Sequence, residues 1–315
     1  MSAAARPDEP WRLALAWAAL VSAALFALFR DWGFDDPYIT YRYAANLAGG
    51  AGFVYNPGER VLSTTAPLYA IALAPFAAAG LPLPPVSNLI GCLSLGAGSL
   101  ALWRLGQLGE QRAAGAVAAL LFPLSPFLVQ TLGAETVTFI ALSLWGLVAA
   151  WSDRPLAAAA LVAAATLVRA DGALAAGLAG LAILARRGWR PALSFGALAA
   201  LLVGAAALAA WWYFGSPLPA TLAAKRSQAL IAGSRSYWEG LVERLGALFG
   251  DPRLAPLYWL APLGVVAGAA RRSPLALAAA WGLLHGAAYS LIGVTAYFWY
   301  YGPALTGLLV AAALG

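Results

Sequence analysis

From residue 11 to residue 315 the chain is a succession of apolar runs joined by short polar segments. Several runs approach the roughly 20 residues that a helix needs to cross a hydrocarbon core about 30 Å thick. The chain is 62% hydrophobic and only 10% charged, and a water-soluble fold cannot bury that much apolar surface. Because only helices and closed barrels satisfy the backbone inside a bilayer, the sequence predicts an all-α polytopic membrane protein.

The apolar runs predict one transmembrane domain over residues 1–315, with about 10 membrane-spanning helices of ordinary length. The first run, 11–29, is too long for the apolar region of a signal peptide, and Arg30 and Asp31 follow it instead of a small-residue cleavage site. We expect it to remain as the first span. The last run, 303–315, is too short for a complete span, so we expect the C-terminal part to be truncated.

Arginine and lysine in short loops mark the cytoplasmic side of a membrane. Which loops of this chain lie on that side depends on whether one apolar run crosses the membrane. Residues 67–81 are short for a span and contain Pro75, which suits a re-entrant or interfacial helix. Residues 30–85 then form the first extracytoplasmic loop, and four consecutive inside loops carry basic residues. Glu135 and Asp171 face outward with the acids of the first loop. A full crossing by 67–81 would reverse this pattern.

The net charge of +6 does not predict nucleic acid as a partner, because the basic residues are scattered at the ends of apolar runs. Cys92 is the only cysteine, so no intrachain disulfide can form. His285, the only histidine, excludes a histidine-rich metal site. Its place in an apolar run predicts a hydrogen-bonding residue inside the bundle, with a functional role as the alternative. No glycine-rich phosphate loop is present.

Ionisable side chains are expected to gather on the outward side, and at membrane depth such groups make a functional site the default hypothesis. The set consists of Asp35, Asp36, Arg42, Glu135, Arg169, Asp171 and Lys225. Two adjacent carboxylates after a span can act as a general base, as ligands of a divalent metal, or as both. The alternative is a solvated loop in which Asp35 or Asp36 caps the next helix.

Four ordered segments of the chain form a wider pattern. The first loop reads DDPYITYRYAANLAGGAGFVYNPGERVLSTTAPLY over residues 35–69. It is followed by TLGAET at 131–136, LVRADG at 167–172 and YFGSPLPATLAAK at 213–225. Together these segments resemble the GT-C superfamily of integral membrane glycosyltransferases, and within it the bacterial arabinofuranosyltransferases and mannosyltransferase-like proteins.

The chain departs from that family pattern at two places. Thr64, Thr65 and Ala66 stand where the branch usually reads Gly-Tyr-Thr-Asn. Asp171 stands where glutamate is commoner. Both positions leave the choice of donor and acceptor open.

The resemblance implies a GT-C-type bundle that transfers a sugar, arabinofuranose or mannose-like, from a polyprenyl-phosphate donor to an acceptor hydroxyl, with inversion. The acceptor is a glycan, a lipoglycan or a protein outside the cytoplasm. An attacking alcohol needs a base, and we predict Asp35 in that role with Asp36 orienting it. Cations stabilise a departing phosphate, and we predict Arg169 and Lys225 as the cations that bind it. Ordinary ion pairing, such as Arg169 with Asp171, is the alternative.

A further group is predicted to contact the sugar or acceptor, or to support the site. Its members are Arg42, Glu135, Asp171, Tyr300 and Tyr301. The alternatives are an ion pair of Arg42 with the nearby Glu59, a helix-capping role for Glu135, and an interfacial aromatic belt for the tyrosines. The sequence establishes no cofactor, and it leaves a divalent cation open. If a divalent cation such as Mg²⁺ or Mn²⁺ is used, its predicted ligands are Asp36 and Glu135.

Two other functions stay open. A transporter or flippase of lipid-linked sugars would also hold ionisable groups in a helical bundle, but transporters place them near the midplane between paired repeats. Here the acids are predicted at one membrane face. A non-catalytic relative is the other alternative. The expected location is the bacterial inner (plasma) membrane, with multiple spans in contact with lipid and the active site on the extracytoplasmic side.

Overall fold

The structure is a computed structural model that describes residues 9–221 and 233–315. Helices dominate these two ranges, which confirms the predicted all-α fold class. The α-helices are α1 (Glu9–Phe29), α2 (Pro37–Ala48), α3 (Pro67–Ala78), α4 (Leu83–Leu108), α5 (Arg112–Leu121), α6 (Pro126–Val129), α7 (Thr136–Trp151), α8 (Pro155–Val168), α9 (Gly172–Arg187), α10 (Trp189–Phe214), α11 (Tyr237–Gly250), α12 (Ala255–Tyr258), α13 (Ala261–Ala270), α14 (Pro274–Ile292) and α15 (Gly302–Leu314). Two short 3₁₀ helices are also present, η1 (Phe122–Leu124) and η2 (Phe298–Tyr300).

In the described ranges, four helices are long and apolar enough to cross a membrane: α1, α4, α10 and α14. Helix α11 and the α12–α13 segment pass the same test only together, and they are bent by 111° at the break between them. Five shorter apolar segments, formed by α3, α5 with η1, α7, α8 and α15, have 10–17 residues each. These lengths do not settle how many segments span a bilayer, so the count of about 10 stays a prediction.

Proline sets the start of several helices. Pro37, Pro67, Pro155 and Pro274 lie in the first turns of α2, α3, α8 and α14. At such a position the missing N–H costs no hydrogen bond, and the fixed φ angle suits the helix. These prolines therefore determine where the loops around the site pass into helices.

Helices α7, α8 and α9 pack against one another in an up-and-down arrangement, which sorts charged residues by end. Glu135, Arg169 and Asp171 meet at one end, where α7 and α9 begin and α8 ends. At the other end, Arg187 forms an ion pair with Asp153. Because α7 has 16 residues, these two charged groups are separated by about 24 Å of helix.

Residues 61–64, in the part of the first loop that follows α2, are held against α2 by side chains of that helix. The fully buried Tyr43 donates a hydrogen bond to the Val61 carbonyl, and its hydroxyl is 2.8 Å from Ser63 Oγ. The hydroxyl oxygens of Thr40 and Thr64 are 3.3 Å apart. Thr64, one of the departures from the GT-C pattern, therefore has a role inside the loop.

Helix α3 has 12 residues and is therefore about 18 Å long, well short of a hydrocarbon core of about 30 Å. It packs against α2 and α8 and contains Pro75. This length favours the prediction that residues 67–81 are re-entrant or interfacial. That role, and the assignment of 30–85 as the first extracytoplasmic loop, stay predictions.

Helices α14 and α15 cross at two glycines. A Cβ atom on Gly282 would lie 2.5 Å from the Cα atom of Gly307, closer than non-bonded carbons approach. Glycine at both positions therefore permits the crossing. It brings the segment that precedes α15 against the side chains of α14, where the Tyr289 and Tyr300 ring centres are 5.1 Å apart.

Candidate functional site

Arg169 lies at the centre of a buried ionic group, which we call the buried cluster: Glu135, Arg169, Asp171, His285 and Tyr289. Its Nη1 donates to Glu135 Oε1 at 3.1 Å, and its Nε donates to Asp171 Oδ1 at 3.2 Å. Its Nη2 donates to Asp171 Oδ2 at 3.2 Å and to the Tyr289 hydroxyl at 3.0 Å. Only 6% of the Arg169 side chain is exposed. A guanidinium this deeply buried depends on these acceptors, since removing one partner of a buried ion pair is costly.

Two residues of α14 complete the set of donors to Asp171. His285 Nε2 lies 2.8 Å from Asp171 Oδ2, and the Tyr289 hydroxyl donates to the same oxygen at 3.0 Å. The His285 and Tyr289 rings stack with centres 4.3 Å apart. His285 thus has the interior hydrogen-bonding position expected from its apolar run. Tyr289 was not predicted, although its spacing of four residues from His285 places both on one helix face.

Aromatic rings pack on the Arg169 guanidinium. Its central carbon is 5.5 Å from the centre of the Phe139 ring and 5.5 Å from that of the Tyr300 ring. Tyr301 is fully buried and stacks on Tyr237, with ring centres 4.6 Å apart. Tyr300 and Tyr301 therefore lie inside the protein, where they contact the buried cluster and α11.

The two carboxylates of the buried cluster have opposite pKa shifts. Burial raises the pKa of Glu135; the Arg169 charge opposes this rise, and the Asp36 charge adds to it. Burial also acts to raise the pKa of Asp171, but Arg169 and His285 together hold it well below its ordinary range. Glu135 is therefore the more readily protonated of the two carboxylates.

The acid pair lies at the start of α2. Asp35 is exposed, and its Oδ1 accepts the backbone N–H of Asp36 at 2.9 Å. Asp36 occupies the N-cap position of α2, but its side chain makes no capping hydrogen bond. Its negative charge acts on Glu135, so the acid pair and the buried cluster influence each other electrostatically.

Arg42 and Glu59 have partners other than each other. Arg42 is exposed, and its Nε donates to the Tyr55 carbonyl at 3.4 Å. Glu59 accepts a hydrogen bond from Asn56 Nδ2 at 3.0 Å. Lys225 lies outside the described residues, so its role stays a prediction.

The carboxylates fit a resident cation poorly. Within the described residues, no group of three or more His, Cys, Asp or Glu side chains could hold a metal ion. Asp36 and Glu135 would supply two carboxylates, which suffice for Mg²⁺ only when substrate phosphates and water add ligands. Glu135 Oε1 already accepts from Arg169, so a cation would compete with the ion pair. The ligand role of Asp36 and Glu135 stays a prediction.

An apolar cavity of about 700 Å³ opens near the C-terminal end of α8, the end at which the buried cluster lies. Its walls come from α2 and the loop after it, from α3, and from the C-terminal ends of α8 and α10, and they include Phe53, Leu68 and Ala206. The exposed Arg60 lies beside it, with its guanidinium carbon 4.8 Å from the centre of the Tyr213 ring that lines the cavity. This lining suits a hydrocarbon chain, with a cation close by for a negatively charged end group.

The turn from α8 to α9 contacts both compartments. Thr166, Leu167 and Ala170 line the cavity, whereas Arg169 and Asp171 belong to the buried cluster. Arg169 has extended backbone angles, φ −151° and ψ 131°, so the chain leaves the helical path of α8 at this residue. A single chain segment therefore separates an apolar compartment from an ionic one.

Comparison with known proteins supports the fold. The oligosaccharyltransferase of Archaeoglobus fulgidus, solved in its apo form, is similar to this chain over 95% of the chain, with a TM-score of 0.57 and 14% sequence identity. The chain spans about half of that protein, 49% of its length. No protein-family model and no curated protein matches the sequence. At this identity the likeness shows the fold alone, a helical arrangement that the chain shares with that oligosaccharyltransferase.

Proposed function

We propose that the chain is a GT-C-type membrane glycosyltransferase. It transfers a sugar, arabinofuranose or mannose-like, from a polyprenyl-phosphate donor to a hydroxyl of a glycan, lipoglycan or protein acceptor. The reaction takes place at the extracytoplasmic face of a bacterial inner membrane. The fold that the chain shares with an oligosaccharyltransferase supports the general class, and the sugar, donor and acceptor are part of the proposal.

The observation that carries the proposal is the division made by the turn from α8 to α9. Ala170 lines a cavity of about 700 Å³ that suits a lipid chain, and the neighbouring Arg169 and Asp171 lie in the buried cluster. The Asp36 charge acts on Glu135 of that cluster. A lipid-linked sugar requires these three surroundings together: a dry place for the chain, cations near the phosphate and a carboxylate near the sugar.

Asp35 is the proposed general base. Its Oδ1 accepts the Asp36 N–H, which leaves Oδ2 to accept the acceptor hydroxyl proton. As the acceptor oxygen attacks the anomeric carbon, Asp35 takes that proton, and the bond from the anomeric carbon to the phosphate oxygen breaks. The electron pair of this bond leaves with the polyprenyl phosphate. Attack from the face opposite the phosphate inverts the anomeric centre.

The proposed cations for the departing phosphate are Arg169 and Lys225, with the exposed Arg60 beside the cavity as an additional contact. Five N–H groups belong to a guanidinium, and the bonds of Arg169 to Asp171, Glu135 and Tyr289 engage four of them. The remaining Nη1 hydrogen is the one proposed to reach the phosphate.

The supporting residues have separate proposed roles. Glu135 and Asp171 fix the orientation of Arg169. Tyr300 packs on Arg169, and Tyr301 packs on α11. Arg42, exposed on α2, is the proposed acceptor contact.

The test is release of polyprenyl phosphate by the full chain, purified and reconstituted with a small panel of polyprenyl-phosphate sugars. The wild type should turn over one donor, and Asp35→Asn should abolish this turnover because an amide cannot take the proton. The matched control is Asp31→Asn in the same loop, since Asp31 is exposed and paired only with its neighbour Arg30 in the described residues. Its turnover should match the wild type.

Three results would change the conclusion. No turnover of any donor by folded wild type would favour the non-catalytic or transport functions. Turnover that survives Asp35→Asn would show that another group is the base. An equal loss in Asp31→Asn would show that the loop, and not the Asp35 carboxylate, had been disturbed.

A further inference from the structure

A continuous series of aromatic contacts leads from Arg169 to the residue before Asp35. The Arg169 guanidinium carbon is 5.5 Å from the Tyr300 ring centre. The Tyr300 and Trp299 rings meet edge-on with centres 5.9 Å apart, and Trp299 stacks on Phe34 at 5.5 Å with 23° between the planes. Phe34 directly precedes Asp35. We call Tyr300, Trp299 and Phe34 the aromatic bridge.

The aromatic bridge is firmly held at its inner end. Tyr300 and Trp299 are 8% and 7% exposed. The Tyr300 ring lies 5.1 Å from the ring of Tyr289, whose hydroxyl donates to Asp171. Tyr300 therefore rests on the buried cluster, whose charges cannot move apart without leaving one of them unpaired, and Trp299 packs against Tyr300.

The outer end of the bridge reaches a segment without helical structure. Residues 30–36, between α1 and α2, are not helical. Asn88 fixes the first part of this segment by donating hydrogen bonds to the carbonyls of Arg30 and Trp32. Beyond that point Phe34 packs on Trp299 and on Phe298, at 4.9 Å between ring centres. These ring contacts come directly before the acid pair.

We propose that the aromatic bridge transmits the position of the buried cluster to the acid pair, which makes Phe34 and Trp299 positioning residues for the carboxylate of Asp35. The catalytic part of this inference rests on the proposed function. The mechanical part does not, because the order of the loop can be measured without turnover. Position matters at such a site, since a base displaced by about 1 Å can lose about 10²-fold in rate.

A nitroxide label in the loop tests the mechanical part. Gly33→Cys offers a suitable position, because a Cβ there would meet nothing within 4 Å. The native Cys92 is fully buried and does not compete for the label. Trp299→Leu removes the ring from the bridge, while Trp299→Phe keeps an aromatic partner for Phe34 and is the matched control.

We expect Trp299→Leu to shift the spectrum of the label at position 33 toward faster nanosecond motion, and Trp299→Phe to leave it close to the wild-type spectrum. A second label, at Gly246→Cys on α11, where a Cβ also meets nothing within 4 Å, should not respond. Unchanged motion at position 33 would overturn the inference. Equal changes at both labels would overturn it as well, because the fold as a whole would have loosened.

Kinetics test the catalytic part. With an active donor, Trp299→Leu should lower kcat by about 10²-fold and leave the KM for the donor unchanged, because positioning acts on the transition state rather than on donor binding. Trp299→Phe should recover most of kcat. A raised KM at constant kcat would mean that Trp299 binds donor instead. If the wild type turns over no donor, the proposed function fails, and the label at position 33 still decides whether the bridge holds the loop.

Discussion

Asp171→Asn should be strongly destabilising, because it removes a buried negative charge shared by several donors. Arg169 donates to this carboxylate through Nε and Nη2, and His285 and Tyr289 contact it as well. Removing one partner of a buried ion pair costs about 3–5 kcal/mol, and because Arg169 keeps its bond to Glu135 we expect the lower value, about 3 kcal/mol. The unfolding entropy is about 2.1 cal/mol/K per residue, so for 315 residues each kcal/mol shifts Tm by about 1.5 °C, and Tm should fall by about 4–5 °C. Thermal unfolding in detergent, followed by tryptophan fluorescence, measures it.

The same substitution at Asp153 is the matched control. Asp153 is paired with Arg187, but both side chains are 44% exposed. Its φ of 59° is one that asparagine also adopts readily, so Asp153→Asn changes the charge with little backbone strain. An exposed pair contributes about 0–1 kcal/mol, which corresponds to less than about 2 °C in Tm. Equal shifts in the two variants would refute the reasoning that burial makes the Asp171 charge important.

Three further changes test other parts of the fold. Ala206→Phe should partly fill the cavity and raise the KM for a long-chain donor by about tenfold, a cost of about 1.4 kcal/mol. Ala205→Phe, at the neighbouring exposed position, should leave this KM unchanged. Kinetics with long-chain and short-chain donors compare the two variants. Gly282→Ala should lower the unfolding free energy by about 1–3 kcal/mol through overpacking, whereas Gly204→Ala, with open space around it, should not, as thermal melts will show. Cys92 should react with a maleimide only after unfolding, and rapid labelling of native protein would contradict its burial.

Much of the helical architecture follows from the sequence, because apolar runs and prolines mark where helices lie. The run 11–29 corresponds to α1, and Pro155 lies in the first turn of α8. The bent pair of α11 and α12–α13 could not be predicted in the same way. Pro252 indicates a break, but the 111° angle depends on packing against helices that are distant in sequence.

Part of the candidate site was also accessible from the sequence. Glu135, Arg169 and Asp171 lie at ends of consecutive helices, so an up-and-down order is enough to bring them to one side of the bundle. The contribution of α14 was not accessible, because His285 is 114 residues from Asp171. Nothing in an apolar run states which distant carboxylate its polar residue will meet, since that depends on how the helices pack.

The turn from α8 to α9, in which Ala170 lines the cavity and its neighbours lie in the buried cluster, has a consequence for the proposed choice of substrate. A phosphate held at this boundary would be only partly hydrated, and at an effective dielectric constant of about 20 two unit charges 4 Å apart attract by about 4 kcal/mol, against about 1 kcal/mol in bulk water. Only a donor whose lipid tail fills the neighbouring apolar cavity could be retained there. Discrimination between a lipid-linked sugar and a free sugar phosphate would then come from where the phosphate is held, and no side chain dedicated to recognising the lipid would be needed.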